Sequence, residues 1–420
     1  MAESFLLAWR ALVRGHVLTL LLGAAGFVHL LVPALVRSDG TMDGWREMFV
    51  RAVPGSVYVV TAVALLACAC GLFAHERETN RLAQTVVRPV SAFALAAGRL
   101  AALASVAALV LVLNATLLLA REGWTNCRHV FTPNLLPPSV VASRALEDYL
   151  RDPQTPEAVK QAPRHTVLSL LTNKELDRYD TIPAGETMQW PFRVDKVSQS
   201  VQNDRDIAVR VRFATQFDMR ASVSGWFQLQ NWCGMVSNST QSVIEVPLTA
   251  DESRATAAAG SLSFRNAGTS SVMLRPRRDL QILVPADSFR WNLLRATVEM
   301  FSVVMFLCAF GLFLSSALAR PVALFTAFVA LLVVVMAPGV VAQFPDELDV
   351  AMSDRLGLWI SRGVSMVTAS FADASPVADL AMGTCIEWNR LLRSVLVNAV
   401  ATPALLLTLT ALVVRRKPLR

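Results

Sequence analysis

Six stretches of about 20 residues each contain no Asp, Glu, Lys or Arg: Val17–Val36, Val57–Ala74, Leu100–Ala120, Met300–Ala319, Pro321–Ala342 and Ser394–Val414. A bilayer core about 30 Å thick is crossed by a helix of about 20 apolar residues, so each window is a candidate span. Composition agrees with that reading. Apolar residues make up 54% of the chain, charged residues 17%, and the mean hydropathy is +0.46. Water-soluble domains carry roughly a quarter charged residues. A soluble enzyme, a disordered chain and a collagen-like chain are therefore excluded. Arg10 and Arg14 before the first window resemble the start of a secretory leader. The apolar run is longer than such a leader's, and no small-residue cleavage site precedes Arg37-Ser38-Asp39, so the reading is an uncleaved first span.

Arginine and lysine near span ends set orientation. With the N-terminus inside, the inner segments hold Arg10, Arg14, Arg77, Arg81, Arg88, Arg99, Arg320, Arg415, Arg416, Lys417 and Arg420. The short outer segments hold only Arg37, Arg46, Arg51, Arg355, Arg362, Arg390 and Arg393. The expectation is an integral protein of the plasma (inner) membrane with both termini cytoplasmic. The net charge of +7 then reports orientation in a lipid bilayer rather than nucleic-acid binding.

Between the third and fourth windows, residues 121–299 change character. Ile207, Val209, Val211 and Phe213 alternate with Ala208, Arg210 and Arg212, the period of a half-buried strand. The same period recurs in Trp190/Phe192/Val194, Phe227/Leu229, Leu262/Phe264 and Leu280/Ile282/Val284. Turn-prone Pro183-Ala184-Gly185, Asn203-Asp204, Ser237-Asn238-Ser239 and Asn266-Ala267-Gly268 separate them. Short strands at this spacing predict an antiparallel sandwich, preceded by short helices over 139–178 such as Val140–Leu150. The fold class is thus an α-helical polytopic membrane protein of six transmembrane helices with an inserted, mainly-β, sandwich-like extracytoplasmic domain. Its parts are a membrane half over 1–120, the β domain over 121–299 and a second membrane half over 300–420.

The connections carry pattern of their own. Phe5, Trp9 and Leu12 share one helical face and Arg10 and Arg14 another, so residues 2–15 suit an interfacial helix. The outer loop 343–393 holds Leu356, Ile360, Val364, Val367 and Phe371 at helical spacing, either packed on the β domain or dipping into the outer leaflet. Residues 75–99 leave the second span as a charged turn from Glu76 to Arg81. Arg88-Pro89 then break the chain, and a small-rich stretch leads to Gly98-Arg99.

The Glu76-Arg77-Glu78 exit, followed by Arg88-Pro89-Val90-Ser91, resembles the permease subunit of type-2 ABC exporters. Six spans, an interfacial N-terminal helix and an outer helical element between the last two spans are similar to the same family, over about 1–120 and 300–420. The resemblance implies that 75–99 is a coupling element and that Glu76, Arg77, Glu78, Arg81, Arg88 and Pro89 touch a separate ABC ATPase subunit. It also implies a second permease copy or a related permease as partner. The large β insertion lies outside the common family core.

Chemistry within the chain is sparse. The four lysines are followed by Gln161, Glu175, Val197 and Pro418, so no phosphate-cradling Gly-Lys-Ser/Thr exists, and ATP-Mg would sit on the partner. The chain is read as no enzyme and as binding no cofactor or metal directly. His75-Glu76 lacks the second His of a zinc helix, and no Gly-x-Ser-x-Gly elbow occurs. His29 reads as a helix-packing histidine and Asn114 as an interhelical hydrogen-bond partner. Cys68, Cys70 and Cys308 lie in spans, while Cys127 and Cys233 are the favoured disulfide pair and Cys385 is left over. Arg295 and Glu299 read as a local ion pair or as a hinge leading into span four.

The leading expectation is an ATP-driven exporter permease. The alternative is a non-transporting membrane anchor that displays a β-sandwich binding or sensing domain. The transported substrate and the β domain's ligand are left open.

Overall fold

The computed structural model describes residues 2–35, 42–78, 91–121, 126–153, 155–160, 164–192, 207–214, 222–239, 243–250, 261–343 and 375–416. These fall into two compact units. A helical unit draws on Met1–Thr125, Ser288–Val341 and Gly357–Arg420, and a β unit is centred on Asn126–Asp287.

In the helical unit, α1 (Ala2–Arg14) meets α2 (Val17–Leu35) at a bend of 55°. The bend falls at Gly15-His16, where His16 has φ 57°, and two helical turns cannot continue through a left-handed residue. Then come α3 (Met42–Glu78) and α4 (Ala92–Arg121). Four helices are long and apolar enough to cross a bilayer: Met48–Ala74 of α3, Ala92–Ala120 of α4, Phe289–Ala317 and Trp388–Arg415. The bent pair makes a fifth if taken as one span, and Arg320–Val333 is a shorter apolar stretch. The helices outrun the uncharged windows because a helix that is packed on its neighbours does not stop at a charge. The chain is already helical at Phe289, within what the alternating pattern assigns to the β domain.

Helix Phe289–Ala317 lies at the centre, with apolar burial on most of its faces. Its closest approach is to α3. A Cβ built on Gly311 would lie 2.8 Å from the Cβ of Ala69 and 3.1 Å from the Leu66 carbonyl, so only glycine allows the two backbones this near. At one end of the bundle Ser4 Oγ donates to the Ala94 carbonyl at 3.3 Å, the Arg99 guanidinium lies 3.8 Å from the Phe73 ring centre, and Arg320 covers Gly71. At the other end Phe49, Val53, Leu118, Phe289, Leu293, Leu380 and Ile386 form one cluster. The chain therefore leaves α4 and returns at Phe289 at the same end of the helical unit.

The β unit contains β1 (Asn126–Phe131), α5 (Pro138–Arg151), α6 (Arg164–Leu176), β2 (Asp180–Ile182), β3 (Thr187–Pro191) and β4 (Ile207–Arg212). It continues through β5 (Ser222–Leu229), β6 (Trp232–Ser239), β7 (Val243–Ala250), β8 (Ser261–Asn266), β9 (Val272–Leu274) and β10 (Leu280–Ser288). The expected short helices are α5 and α6, which pack through Ala142, Val167 and Leu171.

A two-sheet sandwich is replaced by one eight-stranded sheet of order β1-β10-β4-β7-β6-β5-β8-β3, curled as a half-barrel, beside a β2-β9 pair. The reason lies at the joint. β6 and β7, registered among the described residues by Trp232↔Ala250 and Cys233↔Thr249, join the strands into one sheet. The alternating residues point into one core, where the rings of Phe213, Phe227 and Phe264 meet with centres 4.7–6.1 Å apart. Ser237-Asn238-Ser239, read as a turn, is instead the end of β6.

Candidate functional site

The most unusual chemistry is a polar seam within the helical unit. Asn292, Arg295, Glu299 and Ser302 recur at steps of three and four residues, which places them on one face of a helix. All four are buried. Facing them are the short helix α7 (Pro376–Ala381), the turn that follows it, and the start of the last helix.

Asn292 pins the turn with both ends of its amide. Nδ2 donates to the Thr384 carbonyl at 2.7 Å, and Oδ1 accepts from the Ile386 N–H at 2.9 Å. Arg295 Nη1 donates to the Ile386 carbonyl at 3.2 Å and lies 3.1 Å from the Cys385 sulfur, while its guanidinium sits 4.4 Å from the Trp388 ring centre. Arg390 bridges two carboxylates. Its Nε and Nη2 reach Glu299 Oε1 and Oε2 at 3.2 and 3.4 Å, and Nη1 reaches Asp379 Oδ2 at 2.8 Å. Below them Ser302 and Ser394 share a hydrogen bond of 3.0 Å, and Asn398 Nδ2 donates to Ser394 Oγ at 3.2 Å.

The Glu299 side chain is 0% exposed. Withdrawing a carboxylate from water costs several kcal/mol unless partner charges and hydrogen bonds replace its hydration. Two-point contact with Arg390 supplies that replacement. Chemically the seam is a lock between helices. It offers no nucleophile with a base beside it, and among the described residues no group of three or more His, Cys, Asp and Glu is placed to hold a metal ion.

The last helix changes winding at this seam. Residues Val395–Ala401 form a π segment between Trp388–Ser394 and Thr402–Arg416, with Asn398 fully buried in it. A π turn amounts to one extra residue in an α-helix and often marks a functional position. Deleting Leu396, which is 64% exposed, is expected to convert the segment to α-helix while both flanks keep their packing faces. Deleting Leu405 from the regular helix would instead turn one flank by about 100°. Thermal unfolding of the two purified deletions checks this, and equal losses would refute it.

The sequence-derived sites are placed as follows. α3 continues through Glu78, so the backbone of Glu76, Arg77 and Glu78 extends the second span, while their side chains lie outside the described residues. Arg81, Arg88 and Pro89 also lie outside them, as do Leu356, Ile360, Val364, Val367 and Phe371. His29 and Asn114 pair, Nε2 to Oδ1 at 2.9 Å, joining α2 to α4. Cys127 and Cys233 are not joined. In the sheet order β10, β4 and β7 lie between Cys127 of β1 and Cys233 of β6. Glu299 takes Arg390 as its partner across the bundle, while Arg295 binds the 385–386 turn.

The Glu299–Arg390 bridge is missed by uncharged windows, since Glu299 and Arg390 fall just outside two of them. The signal that could have found it is the polar face Asn292-Arg295-Glu299-Ser302 running into a span. In the β unit, Arg210 and Arg128 both grip Glu245, at 2.7 and 2.6 Å. Partial burial raises the Glu245 carboxyl, but the bonds and charge of Arg210 and then Arg128 outweigh that and hold it below the usual carboxylate range.

Compared with protein-family models, with curated proteins and with solved structures, the chain gives no match.

Proposed function

We propose that this chain is the membrane subunit of an ATP-driven exporter, moved by a separate ABC ATPase that binds and hydrolyses ATP-Mg. The observation that carries the reading is the unbroken course of α3. One helix runs from Glu76–Glu78 to the place where Ala69 and Leu66 touch Gly311 of the central helix. A rigid helix of this kind transmits a push at its charged end to the seam-bearing helix without a flexible joint. In this reading six spans cross the inner membrane, α2 and Arg320–Gln343 being the two beyond the long helices. The termini are cytoplasmic and the β unit is extracytoplasmic. The excess of Arg and Lys near the inner span ends in the sequence, eleven against seven, supports that orientation. A second copy or a related permease completes the transporter.

The second reading, a membrane anchor displaying the β unit, is favoured by one observation: that unit encloses a continuous apolar core of its own.

The test is a pull-down of the detergent-solubilised chain from its native membrane, with Glu76→Lys/Glu78→Lys as comparison. Wild type is expected to recover an ABC ATPase, and the double variant to lose it. Recovery of no ATPase by wild type refutes the exporter reading and leaves the anchor.

A further inference from the structure

We propose that the outward face of α1 binds the headgroups of anionic phospholipids in the leaflet that covers its end of the bundle. The inference stands apart from the ATPase reading. At 3.6 residues per turn α1 presents three faces. Ser4, Ala8 and Leu12 are buried on the bundle, with Phe5 and Trp9 stacked at 6.1 Å beside them. On the opposite side Arg10 and Arg14, one turn apart, are exposed. Flanking those arginines are Leu6 and Val13 on one side and Leu7 on the other, exposed by 47%, 39% and 56%.

Water would favour the arginines and disfavour the three apolar neighbours, and hydrocarbon would do the reverse. A headgroup layer satisfies both, with the apolar flanks sunk toward acyl chains and the guanidinium groups level with phosphates. The 55° bend after α1 keeps its axis from continuing that of α2. Charge selects which lipid. Arg10 and Arg14 share the outward face with Glu3, two cations to one acid, so the face keeps a net positive charge, and exposed Arg320 lies at the same end.

The experiment is native mass spectrometry of the full chain in detergent micelles, titrated with phosphatidylglycerol or phosphatidylcholine. Wild type is expected to prefer phosphatidylglycerol. Arg10→Gln/Arg14→Gln should lower the ratio of the two affinities by about fivefold per arginine at low salt. Arg10→Lys/Arg14→Lys should keep the preference, because charge suffices for it. Arg393→Gln, an exposed arginine at the opposite end of the last helix, should leave it unchanged. Three results would overturn the proposal: an undiminished preference in the Gln pair, a loss in the Lys pair, or an equal loss in Arg393→Gln. The first would leave the arginines to an acidic protein partner.

Discussion

Arg390→Leu should destabilise the chain by about 3–5 kcal/mol, because it strands Glu299 as an unpaired buried carboxylate. Glu299→Leu should cost less, about 1–3 kcal/mol, although it removes the more deeply buried group. The asymmetry follows from the geometry. Arg390 holds Asp379 at 2.8 Å as well as Glu299, so deleting Glu299 leaves the arginine with a partner. Its side chain is also 31% exposed and can extend toward the interface along its apolar stem. Glu299 has neither option. The double variant Glu299→Leu/Arg390→Leu should therefore be more stable than Arg390→Leu alone. Thermal unfolding of the three purified variants in one detergent decides the matter. A ranking in which Glu299→Leu is the worst of the three would refute this account of the seam.

Asn266→Asp should be among the most damaging single-atom changes in the β unit, at more than about 3 kcal/mol. Asn266 is completely buried. Its Nδ2 donates to the carbonyls of Ile182, Pro183 and Ser270 at 3.0, 3.2 and 2.9 Å, and its Oδ1 accepts from the Gly268 N–H at 2.9 Å. One side chain thus ties the turn after β2 to the turn after β8. Aspartate would point an oxygen at three carbonyl oxygens, and protonation would give back a single donor. Its carboxyl would then titrate above the ordinary value in the folded state. The folded chain binds the extra proton, so stability is retained at low pH and falls as pH rises through the carboxylate range. Asn266→Ala carries no such dependence. Tryptophan fluorescence melts at acid and neutral pH separate the two, and a pH-independent loss in Asn266→Asp would count against the three-carbonyl geometry.

What the sequence makes legible follows from how far each signal reaches. Strand alternation in β4, β5, β8 and β10 depends on one buried face, a local property, and those strands form where the pattern places them. Joining β6 to β7 in one curled sheet depends on a contact that leaves no periodic mark. His29 and Asn114 are each legible as residues that need a partner, because a polar group in an apolar helix must be satisfied, but their pairing with each other leaves no mark in the sequence. Glu299 and Arg390 lie 91 positions apart. Their contact depends on a turn held by Asn292, which no spacing in the sequence announces.

The seam has an electrical consequence as well. Arg295, Arg390, Glu299 and Asp379 carry formal charges that sum to zero, gathered at one end of two candidate spans. Displacing one elementary charge across a membrane held at 100 mV involves about 2.3 kcal/mol. A group of four that moves together with its helices displaces none. Translating this cluster as a body along the membrane normal therefore moves no net charge through the field, so the seam itself adds no voltage dependence to such a shift.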